Sequence, residues 1–599
     1  MEYDKTAADR PPLGDPDAPR ARTDRTVTSE RFDGRVMPWV FWPATVVILA
    51  FVILTMVFPE GMESAIGTVQ SVIISNFSWW YVLLSFGLVV FCLYVGFSRK
   101  GSIILGRPDT KPEFSTVAWL SLLFAAGMGI GLVFFGMTEP LMHYATPRPG
   151  VEAAGLNEGA LQSQALSQTY LHWGLQPWAI YAVVGLAIAH AIHRRGRPLS
   201  MRWAVEPLIG EKAARGGWGN LIDCFALAGT VFGVATSLGL GVTQMAAGLR
   251  SLGVVPEDNP AVEYIMIAVV TGFVIWSVLS GVNRGMKWLS TTNLFIAAGL
   301  VLFLLIVGPT QFLLKEMVQT FGMYLQNFIG LSLDTSAFFG SAGDDWQAGW
   351  SSYYWAWWMS WTPFVGVFIA RISRGRTVRE FMLGVLLVPT MISVVWFAVL
   401  GGTALYNEAV RPDGYTSVIG EDGSVDSNSA LFQVLEQLPA GGILVAGAII
   451  LSAIFFITSS DSGSLVMAMI STGGDPEPPS RIRVFFAVTT ALLAAALLLA
   501  GGLTAIQTLA ITIGLPFSIL IVLMVFAVLR ALSANVRRME ALKRKSFLTH
   551  IQDRFGLETD DDAVENPGAS AENWWKGLSR EHRARIARAA ADPQEGSQI

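Results

Sequence analysis

The chain has 599 residues, 52% of them hydrophobic and only 15% charged, with a formal net charge of −5 and a mean hydropathy of +0.48. A soluble protein carries about 25% charged residues, so these values exclude an ordinary soluble globule and point to an all-α chain crossing a membrane many times. Cys92 and Cys224 are the two cysteines; both fall in apolar segments, which leaves neither a disulfide framework nor a cysteine metal cluster to expect.

Residues 1–37, rich in Pro, Asp and Arg, read as a disordered tail, and the first apolar run is too long for a cleavable signal. Twelve apolar stretches follow, near 38–59, 77–98, 114–143, 163–192, 220–249, 261–281, 288–314, 349–371, 378–405, 440–470, 482–502 and 504–530. Each is long enough for a hydrocarbon core of about 30 Å. Between the seventh and eighth, residues 311–330 place Leu314, Met317, Val318, Phe321, Tyr324, Leu325 and Phe328 at helical spacing, as in an amphipathic helix lying on the outer interface. Residues 531–599 form a second polar tail. No strand pattern occurs.

With twelve crossings both termini share a side. The loops on that side hold eighteen Lys/Arg, between Arg99 and Arg483, and the opposite loops hold four: Arg148, Arg250, Lys315 and Arg411. The positive-inside rule therefore predicts cytoplasmic termini in the cell membrane. No basic residue stands in the middle of a span, which argues against a voltage sensor.

Span three contains "AAGMGIGLVFFGMTEP" (125–140), and span eight contains Pro363 and Gly366. Both read as interrupted helices. Five spans run from the third to the seventh and five from the eighth to the twelfth, so breaks at matching places suggest an inverted five-helix repeat, about 114–314 and 349–530, with a binding site between the halves. Glycine-mediated helix packing is the simpler explanation of the glycines taken alone, since glycine is common in membrane helices.

Tryptophan belongs at headgroup depth, and Trp39, Trp42, Trp79 and Trp80 fit span ends. The stretch "YYWAWWMSWTP" (353–363) does not, because Trp357, Trp358 and Trp361 lie at mid-span. Tyr354, Trp358 and Trp361 follow i, i+4, i+7 and share a face. In span four, "HWGLQPWAIY" puts Trp173, Trp178 and Tyr181 at similar depth, with Pro177 expected to bend the helix and bring Trp173 round. Two aromatic clusters at one depth suit a quaternary ammonium, which donates no hydrogen bonds and is held by ring faces at about 0.5–2 kcal/mol each. Three rings supply about 6 kcal/mol of the roughly 8 that micromolar affinity needs. Plain aromatic packing between helices is the competing explanation.

Together with "TVFGVATSLGLG", "YYWAWWMSWTPFVGVFIARISRGRTVREF" and "FFITSSDSGS", these motifs resemble, in order and spacing over about residues 38–530, the betaine/carnitine/choline transporter family, and within it the sodium-coupled glycine betaine importers. The resemblance implies twelve helices with an inverted repeat beginning at the third. It implies a substrate cage of Trp173, Trp178, Tyr181 and Trp358, with Trp357 and Trp361 along the route, and the substrate carboxylate near the unwound backbone around Gly129 and Gly131. Ser237 is similar to a family residue close to the ligand. One sodium site would use the backbone carbonyls of Ala125, Met128 and Phe455 and the hydroxyls of Thr458 and Ser459, oxygen ligands suited to a hard cation. A second would involve Thr230 near Phe364, but the partner threonine is replaced by Val234, which puts a two-sodium stoichiometry in doubt.

Family members that accept choline tend to carry an aspartate where this chain has Gly131, so a zwitterion fits better. Sodium-independent exchangers place an arginine in span five, and none stands between Asn220 and Leu249. One Na⁺ contributes about 2.3 kcal/mol per 100 mV and about 1.4 kcal/mol per tenfold gradient, enough for several-hundred-fold accumulation. Beyond the coupling ion no cofactor is expected, nor a nucleic acid partner.

The expected function is thus sodium-driven import of a compatible solute, glycine betaine first, with ectoine, proline or carnitine carriage and proton-coupled choline transport as the alternatives. A membrane enzyme would need a His/Cys/carboxylate cluster or a phosphate loop, and none is visible. Arg537, Arg538, Lys543, Arg544 and Lys545, followed by "ENWWKGLSREHRARIARAA", suit binding to anionic lipid at about 1 kcal/mol per basic residue. The resemblance implies that such a tail helps sense osmotic stress and that the protein is a trimer; juxtamembrane charges that merely fix topology explain the basic residues as well. His172 and Glu139 are expected to pack and hydrogen-bond.

Overall fold

A computed structural model of the chain describes residues 33–127, 129–151, 154–256, 259–280, 283–555, 580 and 583–584. Met128, most of the N-terminal tail and nearly all of the second basic tail segment lie outside these residues. The chain forms two compact units, residues 1–530 and 531–599.

Apart from an isolated bridge between Ile104 and Thr377, the described secondary structure is helical, in the order α1 (Pro38–Val57), α2 (Pro59–Phe97), α3 (Thr116–Gly127), α4 (Ile130–Ala145), α5 (Glu158–Trp173), α6 (Leu175–Ala189), α7 (Met201–Ala204), α8 (Glu206–Ile209), α9 (Glu211–Arg215), α10 (Gly217–Ser251), α11 (Ala261–Ser280), α12 (Asn283–Val307), α13 (Thr310–Ser332), α14 (Gly340–Gly349), α15 (Ser351–Ile372), α16 (Val378–Val410), α17 (Ala430–Glu436), α18 (Gly441–Ser471), α19 (Ser480–Leu499) and α20 (Leu503–Phe555). Among the described residues nine helices are long and apolar enough to cross a membrane, ten if α12 and α13, bent by 111°, count as one span. The protein is therefore a multi-pass, all-helical membrane protein. Two expected crossings escape this count for physical reasons. The third is divided between α3 and α4, and α15 is rich in Trp, Tyr and Ser, which lower its hydropathy although it is buried along most of its length.

α15 occupies the centre, packed against α6 and α10. This burial accommodates its composition: the helix is buried along most of its length, and the indole N–H of Trp358 finds a backbone carbonyl in the bundle. α1 lies outside, with Trp39 and Trp42 exposed, as an aromatic belt requires. Trp79 and Trp80 lie near the middle of α2, which at 39 residues is longer than a single crossing needs. Trp80 Nε1 donates to Ser518 Oγ at 2.7 Å, so this indole is engaged inside the protein.

Three other expectations change. α15 is continuous through Pro363. Proline offers no N–H to the carbonyl one turn back, but Thr362 Oγ1 donates to that carbonyl, Met359 O, at 2.6 Å. Gly366 does not break the helix either; a Cβ there would lie 2.9 Å from Val184 Cγ1 and 3.3 Å from Gly185 N, so it permits close packing of α15 on α6. Span four breaks at Gly174 (φ −96°, ψ −123°), not at Pro177, which stands in the first turn of α6 where its missing N–H has no helical partner. A Cβ on Gly174 would meet Tyr170 O at 2.4 Å and Tyr324 Oη at 3.0 Å.

The helix expected over 311–330 exists as α13, and its orientation follows from two stripes. Leu314, Val318 and Leu325 are exposed, whereas Leu313, Glu316, Thr320 and Tyr324 are buried against α5 and α16. Many loop cations are occupied locally. Arg202 Nε donates to Asp223 Oδ2 at 2.5 Å, Arg197 and Arg195 bond Glu206, and Arg376 Nη2 donates to Phe114 O at 2.7 Å. Cys92 and Cys224 are free. The last helix runs on to Phe555, so the first basic tail segment is helical.

Candidate functional site

The break between α3 and α4 places Gly129 in extended backbone (φ −114°, ψ −161°) beside the aromatic core. A Cβ on Gly129 would lie 3.7 Å from Trp361 Cη2 and 3.9 Å from Ser459 Oγ. At Gly131 it would lie 2.6 Å from Trp357 Cη2 and 2.9 Å from Trp173 Cη2. Glycine at 131 is therefore a steric requirement: two indole edges occupy the space of a side chain.

The end of α5, the start of α6 and the middle of α15 bring the expected cage residues together. Trp173 and Trp358 have centroids 5.0 Å apart at 71°, Tyr181 and Trp358 6.3 Å at 75°, and Trp178 and Tyr181 5.7 Å at 82°. Successive rings stand at steep angles, like adjoining walls, and all four are at most 5% exposed. Trp357 stacks on Trp358 at 4.5 Å and 16°, and Trp361 follows edge-on to Trp357 at 6.1 Å, then Phe364 at 5.9 Å. Trp358 is fixed by its Nε1–H, which donates to His172 O at 3.0 Å. Steep walls of π density from these four rings, with no acidic group among them, suit a methylated cation, which does not compete for hydrogen bonds. A lateral crevice of about 470 Å³ between α3, α12 and α16 has an almost wholly aliphatic lining and offers a zwitterion nothing to orient it.

The residues expected around sodium are distributed as follows. Ala125 lies in α3, Met128 is outside the described residues, and Phe455, Thr458 and Ser459 lie in α18. Ser459 adjoins Gly129, as given above, so α18 meets the helix break. Thr458 Oγ1 donates to Ile454 O at 2.9 Å and Phe455 O at 3.2 Å. Thr230 Oγ1 donates within its own helix to Ala226 O at 2.7 Å. Val234 packs its methyls on Gly463 of α18; a Cβ on that glycine would lie 3.0 Å from Val234 Cγ2. Ser237 is buried, with its hydroxyl turned back to Gly233 O at 3.4 Å.

One constellation was missed. Glu139, His143 and His172 are buried, and their ligating atoms lie within 4.8 Å of one another. The expectation that no His/carboxylate cluster exists is thus overturned, because the cluster joins residues one turn apart on α4 to a third from α5. Glu139 Oε1 accepts from His172 Nδ1 at 2.7 Å and faces His143 Nε2 at 3.3 Å. Its Oε2 accepts from Trp173 Nε1 at 2.7 Å and from the Tyr354 hydroxyl. His172 Nε2 meets Ser351 Oγ at 3.0 Å and Gln168 Nε2 at 3.2 Å. Two histidines and a carboxylate are a donor set that zinc accepts, but here both imidazoles already face the carboxylate at hydrogen-bond distance, so the three groups form a hydrogen-bonded hub. The only sequence hint was the acid within "GMTEP", four residues before His143.

Comparison with known proteins agrees with this architecture. A profile of the betaine/carnitine/choline family transporters matches residues 39–537. An uncharacterised transporter of Mycobacterium tuberculosis is 48% identical over 499 residues, covering 83% of this chain and 82% of the relative. The glycine betaine transporter OpuD of Bacillus subtilis is 39% identical over 505 residues (84% and 96%). The betaine/ectoine transporter LcoP of Corynebacterium glutamicum is 38% identical over 533 residues (88% and 82%). On this coverage, the chain belongs to the betaine/carnitine/choline transporter family.

Proposed function

We propose that this protein imports glycine betaine by sodium symport, moving the solute by alternating access. The observation that carries the reading is the buried set of steep ring walls, Trp173, Trp358, Tyr181 and Trp178, beside the break at Gly129. The rings receive the trimethylammonium group, and the amides freed at the break, at the start of α4, receive the carboxylate. A bare cation is disfavoured, since the space at Gly131 that a counter-charged side chain would need is filled by Trp357 and Trp173. Ser459 against Gly129 supports sodium at the junction of α18 with the break, with Ala125, Met128, Phe455 and Thr458 as the other ligands. Val234 opposite Gly463 supports a single coupling ion, leaving Thr230 and Phe364 without a second site.

In the same reading the helices make twelve crossings with an inverted five-helix repeat, both termini are cytoplasmic, and the protein works in the cell membrane as a homotrimer. The repeat loses one argument, the expected break in α15, and rests on the family. The basic end of α20 engages anionic lipid and tunes activity to osmotic stress; removal of residues after 533 is expected to blunt activation in reconstituted vesicles, and an unchanged profile refutes that part.

The main test is uptake of labelled glycine betaine into vesicles carrying the purified protein, under inward sodium or potassium gradients. Sodium-dependent accumulation of unmodified solute supports the proposal, and uptake that is indifferent to sodium refutes the coupling. Competition by ectoine, proline, carnitine and choline at fixed sodium ranks the solutes; preference for any of these over betaine refutes the assignment.

A further inference from the structure

The hub at Glu139 has no part in the function proposed above, yet it touches the cage directly. Its carboxylate lies wholly inside the protein, 0% exposed, where an isolated charge is costly. The neighbours identify what stabilises it. The Trp173 indole N–H and the Tyr354 hydroxyl both donate to Oε2, and His172 Nδ1 with His143 Nε2 serves Oε1. His172 uses its other nitrogen toward Ser351 and Gln168, so both of its ring nitrogens are engaged and the ring is held in place. Among the described residues His143 Nδ1 has no partner, so its Nε2 is the nitrogen that engages the hub. The Glu139 carboxylate is thus the shared acceptor of the cluster, directly behind a wall of the cage.

We propose that Glu139 is a positioning residue that sets the cation affinity of the aromatic cage. Two effects act together. The bond from Trp173 Nε1 fixes the rotation of that ring, and the Tyr354 bond fixes a phenol 5.6 Å from Trp173 and 5.7 Å from Trp358. A carboxylate accepting from an indole N–H also pushes electron density into the ring, and the negative ring face is what attracts a quaternary ammonium. The same carboxylate ties α4, whose first turn adjoins the helix break, to α5 and α15, so the broken helix and the cage move as one piece. This inference rests on the quaternary-ammonium reading of the cage.

The test separates ring electronics from folding by comparing glycine betaine with its uncharged-head isostere 3,3-dimethylbutanoate, which replaces the ammonium nitrogen by carbon. Affinities are measured for wild type, Glu139→Gln, Trp173→Phe and the double variant, on protein matched for membrane content and ligand-free melting temperature. Glutamine keeps the shape but offers one acceptor oxygen in place of two. Glu139→Gln is expected to weaken betaine at least tenfold and the isostere threefold at most, with a smaller loss when added to Trp173→Phe. Equal weakening of both ligands, an unchanged betaine affinity, or full additivity with Trp173→Phe overturns the proposal. If the isostere binds too weakly to measure, additivity decides alone. A wild-type protein that binds no quaternary ammonium solute overturns the cage reading itself, an outcome distinct from any variant result.

Discussion

Replacing Gly131 by alanine asks whether the glycine segment is shaped by the rings that face it. The added Cβ would stand 2.6 Å from Trp357 Cη2 and 2.9 Å from Trp173 Cη2, where ordinary contact begins at 3.4 Å. The nearer ring must therefore retreat by about 0.8 Å (3.4 − 2.6). It has little room, being stacked 4.5 Å from Trp358 and 5.5 Å from Tyr353. Trp173 is held by its bond to Glu139. Overpacking of this kind costs about 1–3 kcal/mol, which at 1.4 kcal/mol per tenfold is a factor of about 5–150. Because both obstructing rings border the proposed cage, the cost is expected mainly as a rise in KM for betaine, with a smaller fall in melting temperature of the detergent-solubilised protein. Uptake kinetics and a thermal scan on the same preparation measure the two. Wild-type KM together with wild-type Tm would show that the rings do not occupy the space assigned to them.

Trp358→Leu removes a wall worth up to about 2 kcal/mol, roughly thirtyfold in affinity, and leaves His172 O without its donor; uptake is expected to be lost in protein that still reaches the membrane, and normal affinity refutes the cage. Thr362→Val should lower the melting temperature by the equivalent of about 1 kcal/mol, since Met359 O loses the hydroxyl that replaces the N–H missing at Pro363, while Thr362→Ser should retain most of it. Val234→Thr restores the hydroxyl pair with Thr230 and is expected to raise the Hill coefficient for sodium in uptake; no change would mean that the hydroxyl alone does not build a second site. In the loop, Glu211 is held down to about 2, from an ordinary 4.5, by hydrogen bonds from Arg197 first and Arg215 next. A depressed carboxylate stabilises above its unfolded value and loses that contribution as pH falls through its folded value. Proteolysis of the 195–217 loop should therefore be flat from pH 5 to 8 in wild type and faster throughout that range in Glu211→Gln.

Several features were legible from residues alone, for a reason that holds across membrane proteins: a bilayer imposes a fixed length of apolar chain, and aromatic residues away from the interface need an explanation. Length and hydropathy determined the helical, multi-pass class, and the misplaced indoles at 173, 178, 357, 358 and 361 marked the residues that the fold brings together. Only the tertiary structure decided where helices break. Pro363 looked like an interruption, but Thr362 supplies the missing hydrogen bond, and the turn in span four falls at Gly174 because Tyr170 and Tyr324 leave no room there for a side chain. Periodicity found the surface stripe of α13 but not its buried polar face, since burial depends on which neighbour arrives. The hub at Glu139 was hidden for the same reason. Its donors come from three helices, and hydrogen bonds among residues 33 and 215 positions apart leave no spacing for a sequence to display.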